Sequence, residues 1–215
     1  MRNANLPRVE THAYLTDRCF GNKTKRHPHF RNNILAATHL HLFDTPLGRC
    51  GIAWGDKGVM AASFPEADDG LTRKRLLKRA QDAEEATSPP PHILEAISAI
   101  VRLMQGEPET LEDIQLDLSG ISAFEQQVYA LSRAIEPGKT RTYGDLAKDL
   151  GDVAYSQRVG QSLGRNPIPI IIPCHRIVGV DNKMTGFSAP GGIDTKRALL
   201  KIEGAIGPDL FDFMD

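Results

Sequence analysis

Between residues 39 and 64, hydrophobic and polar positions alternate along the chain, as they do in strands that bury one face. Leu40 and Leu42 begin the alternation, and Cys50, Ile52 and Trp54 continue it on the far side of a turn at residues 44–48. A second turn, at residues 55–58, leads into a return strand at residues 59–64. The pattern therefore predicts a small β-meander at the start of the first domain.

Further along the chain, the spacing of hydrophobic residues changes from that of a strand to that of a helix. Residues 71–86 are charged and have helical propensity, and a proline-rich break at 88–91 ends that stretch. Apolar residues then recur at helical spacing over residues 93–104, and residues 114–118 alternate like another strand. We expect this α/β domain to span residues 37–120, with a boundary near Gly120.

Helix signals dominate the chain after residue 120. Ser122 and Glu125 have the form of a capping box, and an apolar stripe follows until Pro137 and Gly138 end the helix. Thr142 can cap a second helix that runs to about residue 150, and a third spans about 154–163, with a final helix from about residue 194. The second and third helices have helix-turn-helix form, although plain packing of two helices gives the same pattern.

Composition and charge narrow the class of protein only slightly. The net charge is −1, but residues 121–205 carry 11 Lys and Arg against 8 Asp and Glu, a mild excess that a solvated surface would also show. Three cysteines make no disulfide framework, and no stretch is long and apolar enough for a membrane span or a signal peptide. We expect a cytoplasmic protein, or a nuclear one if the source is eukaryotic.

The two ends of the chain differ from its middle. Residues 1–36 are polar and basic, and we expect them to form a poorly ordered extension. Cys19, His27 and His29 lie there, but their spacing matches no standard zinc pattern and a fourth ligand is missing, so we expect no metal. Residues 206–215 form an acidic tail.

The segment Gly164–Gly179, GRNPIPIIIPCHRIVG, is the strongest candidate for chemistry. Its prolines make it stiff and unable to complete a central strand, which suggests a positioned site. Cys174 could be an ordinary core cysteine. However, His175 is a possible proton acceptor and Arg176 adds positive charge, and both favour the thiolate.

The third predicted helix is unusual because small residues surround a long cation. Ala154, Ser156 and Gly160 would allow close approach of another surface, and Arg158 stands among them. Glycine inside a helix is unfavourable by roughly 1 kcal/mol relative to alanine, so its presence needs a reason. A nucleic-acid backbone or groove suits this face better than a protein core does.

Four motifs together resemble a known family. They are Thr140–Ala147 (TRTYGDLA), Arg158–Gly160 (RVG), Asn166-Pro167 and Pro173–Val178 (PCHRIV). In this arrangement the chain resembles the O6-alkylguanine-DNA alkyltransferases, also called methylated-DNA–protein-cysteine methyltransferases. The resemblance is strong over residues 122–205 and holds only in outline over 39–120.

The resemblance implies both a fold and a function. The expected fold class is α+β, with a small ribonuclease-H-like α/β domain followed by a mainly helical domain, residues 121–205, that carries the helix-turn-helix and the PCHR segment. The implied function is direct-reversal DNA repair: the alkyl group of O6-alkylguanine, and of O4-alkylthymine, moves irreversibly to Cys174, once per molecule. The partner would be double-stranded DNA bound through the minor groove by a monomer, with no cofactor, no metal and no membrane.

The resemblance also assigns roles to individual residues. Cys174 would be the acceptor, His175 would take its proton through a water, Glu203 would orient His175, and Asn166 would secure the turn before the active-site segment. Two further side chains would act on the DNA: Arg158 would fill the space left by the flipped nucleotide, and Tyr143 would press on the adjacent phosphate. The remaining DNA contacts would come from the helix face with Ala154, Ser156, Gly160 and Gln161.

Guanine recognition would come from Ile172, Val178, Phe187 and Ser188, mainly through backbone groups in an apolar pocket. The loop here departs from the family pattern, since Ala189 and Pro190 lengthen it. Two other classes of function stay open on the sequence. One is an alkyltransferase-like protein that recognises lesions without transfer, against which Cys174 argues, and the other is a cysteine hydrolase, for which no oxyanion hole is evident.

Overall fold

The computed structural model describes residues 38–207. The predicted basic extension, with Cys19, His27 and His29, and the acidic tail after Gly207 lie outside the described residues. The described residues all belong to one compact unit. Among them, no helix is long and apolar enough to cross a membrane.

The predicted meander is confirmed. Strands β1 (His39–Thr45), β2 (Gly48–Gly55) and β3 (Gly58–Ser63) pair antiparallel in sequence order. Gly58 has a φ of 117°, and a Cβ there would lie 2.4 Å from the carbonyl oxygen of Gln115, so only glycine fits this turn.

The region expected as one helix over residues 71–86 divides in two. Helix α1 (Asp69–Leu77) ends early, and the chain turns to form β4 (Glu84–Glu85), which pairs parallel with β1. The backbone amides of Glu84 and Ala86 donate to the carbonyls of Thr38 and Leu40, so the free edge of the sheet takes residues whose propensity is helical. Helix α2 (Pro91–Met104) follows as expected.

The second predicted strand region forms only a bridge. Leu116 pairs with Val59, with hydrogen bonds on either side from Val59 to Gln115 and from Asp117 to Val59. The complete sheet therefore has the order β3-β2-β1-β4.

The predicted capping box and the predicted Thr142 cap are both present in the helical part, and the Thr142 cap is also a full capping box. Ser122 and Glu125 cap α3 (Ala123–Arg133), and Thr142 and Asp145 cap α4 (Tyr143–Asp149). A 3₁₀ turn (Val153–Tyr155) leads into α5 (Ser156–Gly164), so the regular helix begins two residues later than expected. After the candidate segment come a second 3₁₀ turn (Cys174–Arg176) and the last helix, α6 (Gly192–Ile202).

The candidate segment is fixed on two sides. Strand β6 (Ile177–Val178) pairs parallel with β5 (Arg141–Thr142), which directly precedes α4. The backbone amide of Ala62 on β3 donates to the carbonyl of Pro167 over 3.0 Å, which connects the sheet to the segment. One hydrophobic cluster includes buried side chains from the sheet, α2, α3, α5, α6 and the segment itself, for example Ile52, Ile100, Val128, Val159, Ile172 and Leu199.

Candidate active site

Asn166 closes the loop that leads to the cysteine. Its Oδ1 accepts from the amide of Ile168 at 3.0 Å, and its Nδ2 donates to the carbonyl of Ile172 at 2.8 Å. Between them Ile170 is buried with a φ of 76°, an outlier for a β-branched residue that costs on the order of 1–3 kcal/mol. Packing and the Asn166 bridge thus hold a strained loop directly before Cys174.

The Cys174 thiol lies at a cavity of about 730 Å³ beside α4 and α5. Its pKa is raised above the ordinary value by burial, and hydrogen bonding from Asn166 and the charge of Lys196 offset part of that rise. The sequence led us to expect that His175 and Arg176 would favour the thiolate. Burial outweighs that effect, so the thiol is protonated at neutral pH and needs a base. The cavity is lined by Tyr143, Ser156, Gln157, Gly160, Gln161, Leu163, Gly164, Cys174, Thr185, Gly186, Phe187 and Ser188.

Glu203 joins the two residues that follow the cysteine. Its Oε1 accepts from His175 Nε2 at 2.8 Å and from Arg176 Nη2 at 2.9 Å, and its Oε2 accepts from Arg176 Nε at 2.9 Å. The carboxylate stands at the end of α6, where the helix dipole disfavours it, yet these partners lower its pKa to about 2 although burial opposes this.

His175 is held neutral with one nitrogen free. Burial lowers its pKa below the ordinary value of 6.5, against the opposing effect of Glu203. Because Glu203 accepts at Nε2, we assign the proton to that nitrogen, which leaves Nδ1 as an acceptor. Nδ1 is buried and has no hydrogen-bond partner within residues 38–207.

Lys196 is a site residue that sequence reasoning missed. It is fully buried on α6, and its Nζ donates to the carbonyls of Ile177 at 2.6 Å and Thr185 at 3.1 Å. Burial lowers its pKa to about 8, and the interaction with Cys174 opposes this shift. One signal was available, since Lys196 stands three residues before the buried Leu199, on the apolar face of α6.

Tyr143, at the start of α4, also lines the cavity. Its hydroxyl donates to the carbonyl of Thr185 at 3.4 Å, and the Nζ of Lys196 lies 6.0 Å from its ring centroid. A Cβ added to Gly160 would meet the Tyr143 ring at 3.7 Å, an ordinary contact, so the fold itself does not require glycine there.

The structure separates the predicted DNA-contacting residues. Ser156, Gly160 and Gln161 line the cavity on α5. Ala154 is exposed in the preceding 3₁₀ turn and lies outside the cavity lining. The guanidinium of Arg158 is also outside that lining, and it stacks on the ring of Phe124 at 3.6 Å from the centroid.

The predicted guanine-contacting residues also divide. Phe187 and Ser188 line the cavity. Ile172 and Val178 are buried outside its lining: the Ile172 carbonyl accepts from Asn166 and from the Cys174 amide, and Val178 pairs with Thr142.

The loop carrying Phe187 and Ser188 is attached to the sheet side of the molecule. Phe187 packs on Phe64 with ring centroids 5.9 Å apart, and Arg75 donates to the Ser188 carbonyl at 3.1 Å. Ser188 Oγ also donates to the carbonyl of Gly164 at the end of α5. The wall of the cavity is therefore built from distant parts of the chain.

The other described cysteine has no such surroundings. Cys50 is fully buried on β2, and burial raises the pKa of its thiol to about 11. Within residues 38–207, no group of three or more His, Cys, Asp or Glu side chains is placed to hold a metal ion.

The chain is similar in sequence to known proteins that carry out transfer to a cysteine. Residues 123–205 match the family model of the 6-O-methylguanine DNA methyltransferase DNA-binding domain. A methylated-DNA–protein-cysteine methyltransferase of Mycobacterium bovis is 35% identical over 179 residues, which cover 81% of this chain and 99% of that protein. The corresponding protein of Methanosarcina acetivorans is 34% identical over 164 residues, covering 76% and 97%.

A solved structure extends the likeness to the fold. The crystal structure of Mycobacterium tuberculosis OGT in complex with DNA superposes with a TM-score of 0.64 at 29% identity, over 82% of this chain and 99% of that one. The likeness covers nearly the whole of these relatives, including the sheet, and is not confined to the PCHR segment. The chain therefore belongs to the methylated-DNA–protein-cysteine methyltransferase family.

Proposed function

We propose that this protein repairs alkylated DNA by direct reversal, transferring the alkyl group of O6-alkylguanine to Cys174 in a single turnover. The observation that carries the proposal is the buried Cys174 thiol at a cavity that α4 and α5 line, directly followed by the His175–Glu203 pair. This arrangement offers a nucleophile, a proton acceptor and a cavity that can take a nucleobase outside the duplex.

The chemistry follows from the protonation states. The thiol proton passes through a water to Nδ1 of His175, and Glu203 stabilises the resulting imidazolium. The thiolate attacks the alkyl carbon, a sulfur–carbon bond forms, and the carbon–O6 bond breaks with its electrons moving to guanine. The proton that left the thiol returns from the His175 imidazolium through water to guanine, and normal pairing is restored. The thioether product is not reversed by water, so each molecule acts once.

Lys196 acts next to the reacting sulfur. A buried cation near Cys174 favours the thiolate that the first step creates, and it opposes the burial that raises the thiol pKa. Its bonds to Ile177 and Thr185 hold it in place without a carboxylate that would neutralise it. Lys196 therefore stabilises charge that develops during transfer.

The DNA would be bound by the helix pair α4 and α5, which we propose as the helix-turn-helix, through its minor groove. The alkylated nucleotide would leave the stack and enter the cavity, at a cost of a few kcal/mol. Ser156, Gly160 and Gln161 would face the DNA, with Tyr143 at the phosphate beside the flipped nucleotide. The finger role of Arg158 stays a prediction, and Arg158 would have to leave Phe124 to perform it.

The finer fold assignments also belong to this proposal. The sheet order β3-β2-β1-β4, with a parallel β4, supports a ribonuclease-H-like domain over residues 37–120. We propose that this domain supports the Phe187–Ser188 wall through Phe64 and Arg75, and that the protein acts as a monomer. The loop extension at Ala189 and Pro190 would then influence which alkyl groups fit.

Neither alternative has comparable support. A recognition module without transfer has no use for an acceptor thiol with a base and a buried cation beside it. A cysteine hydrolase would need donors arranged for an oxyanion and repeated turnover, whereas the relatives that match most of this chain are methylated-DNA–protein-cysteine methyltransferases.

Intact-protein mass spectrometry tests the proposal. After incubation with a duplex containing O6-methylguanine, the protein should gain the mass of one CH₂ unit, because a methyl replaces a proton, and the gain should saturate at one per molecule. Cys174→Ser should show no gain, whereas Cys50→Ala should behave like the wild type. Binding without mass gain would support the recognition module, and turnover beyond one equivalent would exclude a consumed cysteine.

A further inference from the structure

Helix α5 presents two different sides to its surroundings. Gln157, Gly160 and Gln161 line the cavity that contains Cys174. Arg158 lies on another side, with its guanidinium 3.6 Å from the ring centroid of Phe124. Arg158, the residue after Gln157, is not among the residues that line the cavity, so at this point of α5 the long side chain on the cavity side is that of Gln157.

Arg158 is engaged with helix α3. The ring of Tyr155 stands edge-on to Phe124, with centroids 5.8 Å apart and planes at 88°, and the guanidinium lies 6.0 Å from the Tyr155 ring. Phe124 stands in the first turn of α3 and packs against the hydrophobic core. A planar cation stacked on an aromatic ring is a favourable contact. Arg158 thus joins the cavity helix to α3.

Gln157 is a long side chain on the cavity side of α5, next in sequence to Arg158. It is exposed and lines the cavity, and its amide makes no hydrogen bond within the part of the chain that the structure describes. An amide offers both donors and an acceptor, so it can pair with the edge of a base whatever that base is. Gln161, four residues further along, is exposed on the same side of the helix.

We infer that Gln157, rather than Arg158, contacts the DNA where the alkylated nucleotide leaves the base stack, and that Arg158 holds α5 against α3. This assignment rests on the proposed function and names the residue that acts there. When the nucleotide enters the cavity, the opposite base loses its pairing partner. The Gln157 amide can replace part of that pairing from the cavity side, whereas Arg158 would first have to give up Phe124.

The test compares transfer rates on two substrates. The methyl-transfer rate constant is measured with O6-methylguanine in a duplex and in the same strand alone, where no pairing partner is left behind. We expect Gln157→Ala and Gln157→Met to lower the duplex rate about tenfold, because about one or two hydrogen bonds to the DNA are lost. The single-strand rate should be nearly unchanged. The methionine variant keeps the length of the side chain and removes the N–H donor.

Arg158→Ala is the matched comparison. It should lower the rates on both substrates by the same factor, since it loosens the whole helix, and so leave their ratio unchanged. A ratio that falls for Arg158→Ala as much as for Gln157→Ala would overturn the inference, and so would an unchanged ratio in Gln157→Ala. If the wild type gains no mass from either substrate, the proposed function itself fails. This outcome differs from a failure of the Gln157 assignment, in which the wild type still gains mass.

Two further measurements examine each half of the inference. With an abasic site opposite the lesion, Gln157→Ala should lose most of its effect on the duplex rate, because no base is left to pair; an undiminished effect would contradict the contact. In thermal unfolding, Arg158→Ala and Phe124→Leu should be non-additive, since both remove the same contact. Additive shifts would contradict the role given to Arg158.

Discussion

Replacing Glu203 by glutamine should remove a large part of the stability of the active site. Glu203 and Arg176 are both buried, with side-chain exposures of 1% and 6%, and they share two hydrogen bonds of 2.9 Å. A glutamate pKa of about 2 against an ordinary 4.5 corresponds to about 3 kcal/mol of folding free energy at neutral pH. Removing one partner of a buried ion pair typically costs about 3–5 kcal/mol, which agrees with that figure.

Urea denaturation at several pH values checks both the size and the sign. Because the pKa of Glu203 is lower in the folded state, its contribution is complete above about pH 5.5 and is lost as pH falls towards 2. The difference in unfolding free energy between wild type and Glu203→Gln should therefore be about 3 kcal/mol at pH 7 and shrink between pH 5 and pH 2.

Glu85→Gln is a control with the same bonding geometry in a different environment. Glu85 accepts from Nε and Nη2 of Arg73 at 2.8 and 3.0 Å, but the two side chains are 45% and 34% exposed, so solvent screens the pair. This variant should lose no more than about 1 kcal/mol. Equal losses in the two variants, or a Glu203 effect that does not change with pH, would refute the reasoning.

Three further predictions concern Gly160 on α5, His175 and Asn166. Gly160→Ala should raise thermal stability by up to about 1 kcal/mol, because the new Cβ meets only Tyr143 at 3.7 Å, yet weaken duplex binding in a gel-shift assay; unchanged binding would argue that this face does not touch DNA. On the acid side of its optimum, the transfer rate on a single strand should not fall until the pH is below 6.5, because the pKa of His175 is lowered from that ordinary value, and a decline that begins above pH 7 on this side would contradict the lowered pKa. Asn166→Ala should lower stability by about 2 kcal/mol, one for each lost hydrogen bond, and raise the pKa of the Cys174 thiol in a pH titration of its alkylation by iodoacetamide; an unchanged thiol pKa would contradict the contact.

Local sequence was sufficient wherever a structure depends on near neighbours. The meander followed from alternating side chains, the capping box of Ser122 with Glu125 from residues three apart, and the start of α4 from Thr142 as its cap. The stiff segment around Cys174 followed from its prolines. Contacts between residues far apart in sequence could not be predicted in this way. Helix α1 is therefore shorter than expected, because residues 84–86 pair with the edge of β1.

For the candidate site, too, some features followed from local sequence and others only from the tertiary structure. The sequence by itself indicated a mixed α/β fold, the family and the candidate nucleophile Cys174, because a PCHR motif after Asn166 and a helix pair is local information. Tertiary structure decided that Lys196 enters the site and that burial raises the thiol pKa, since both depend on what packs around Cys174. It also set the rotation of α5. The packing of α5 against α3 places Arg158 on Phe124 and leaves Gln157 at the cavity, and the sequence of α5 alone does not show which of the two lies there.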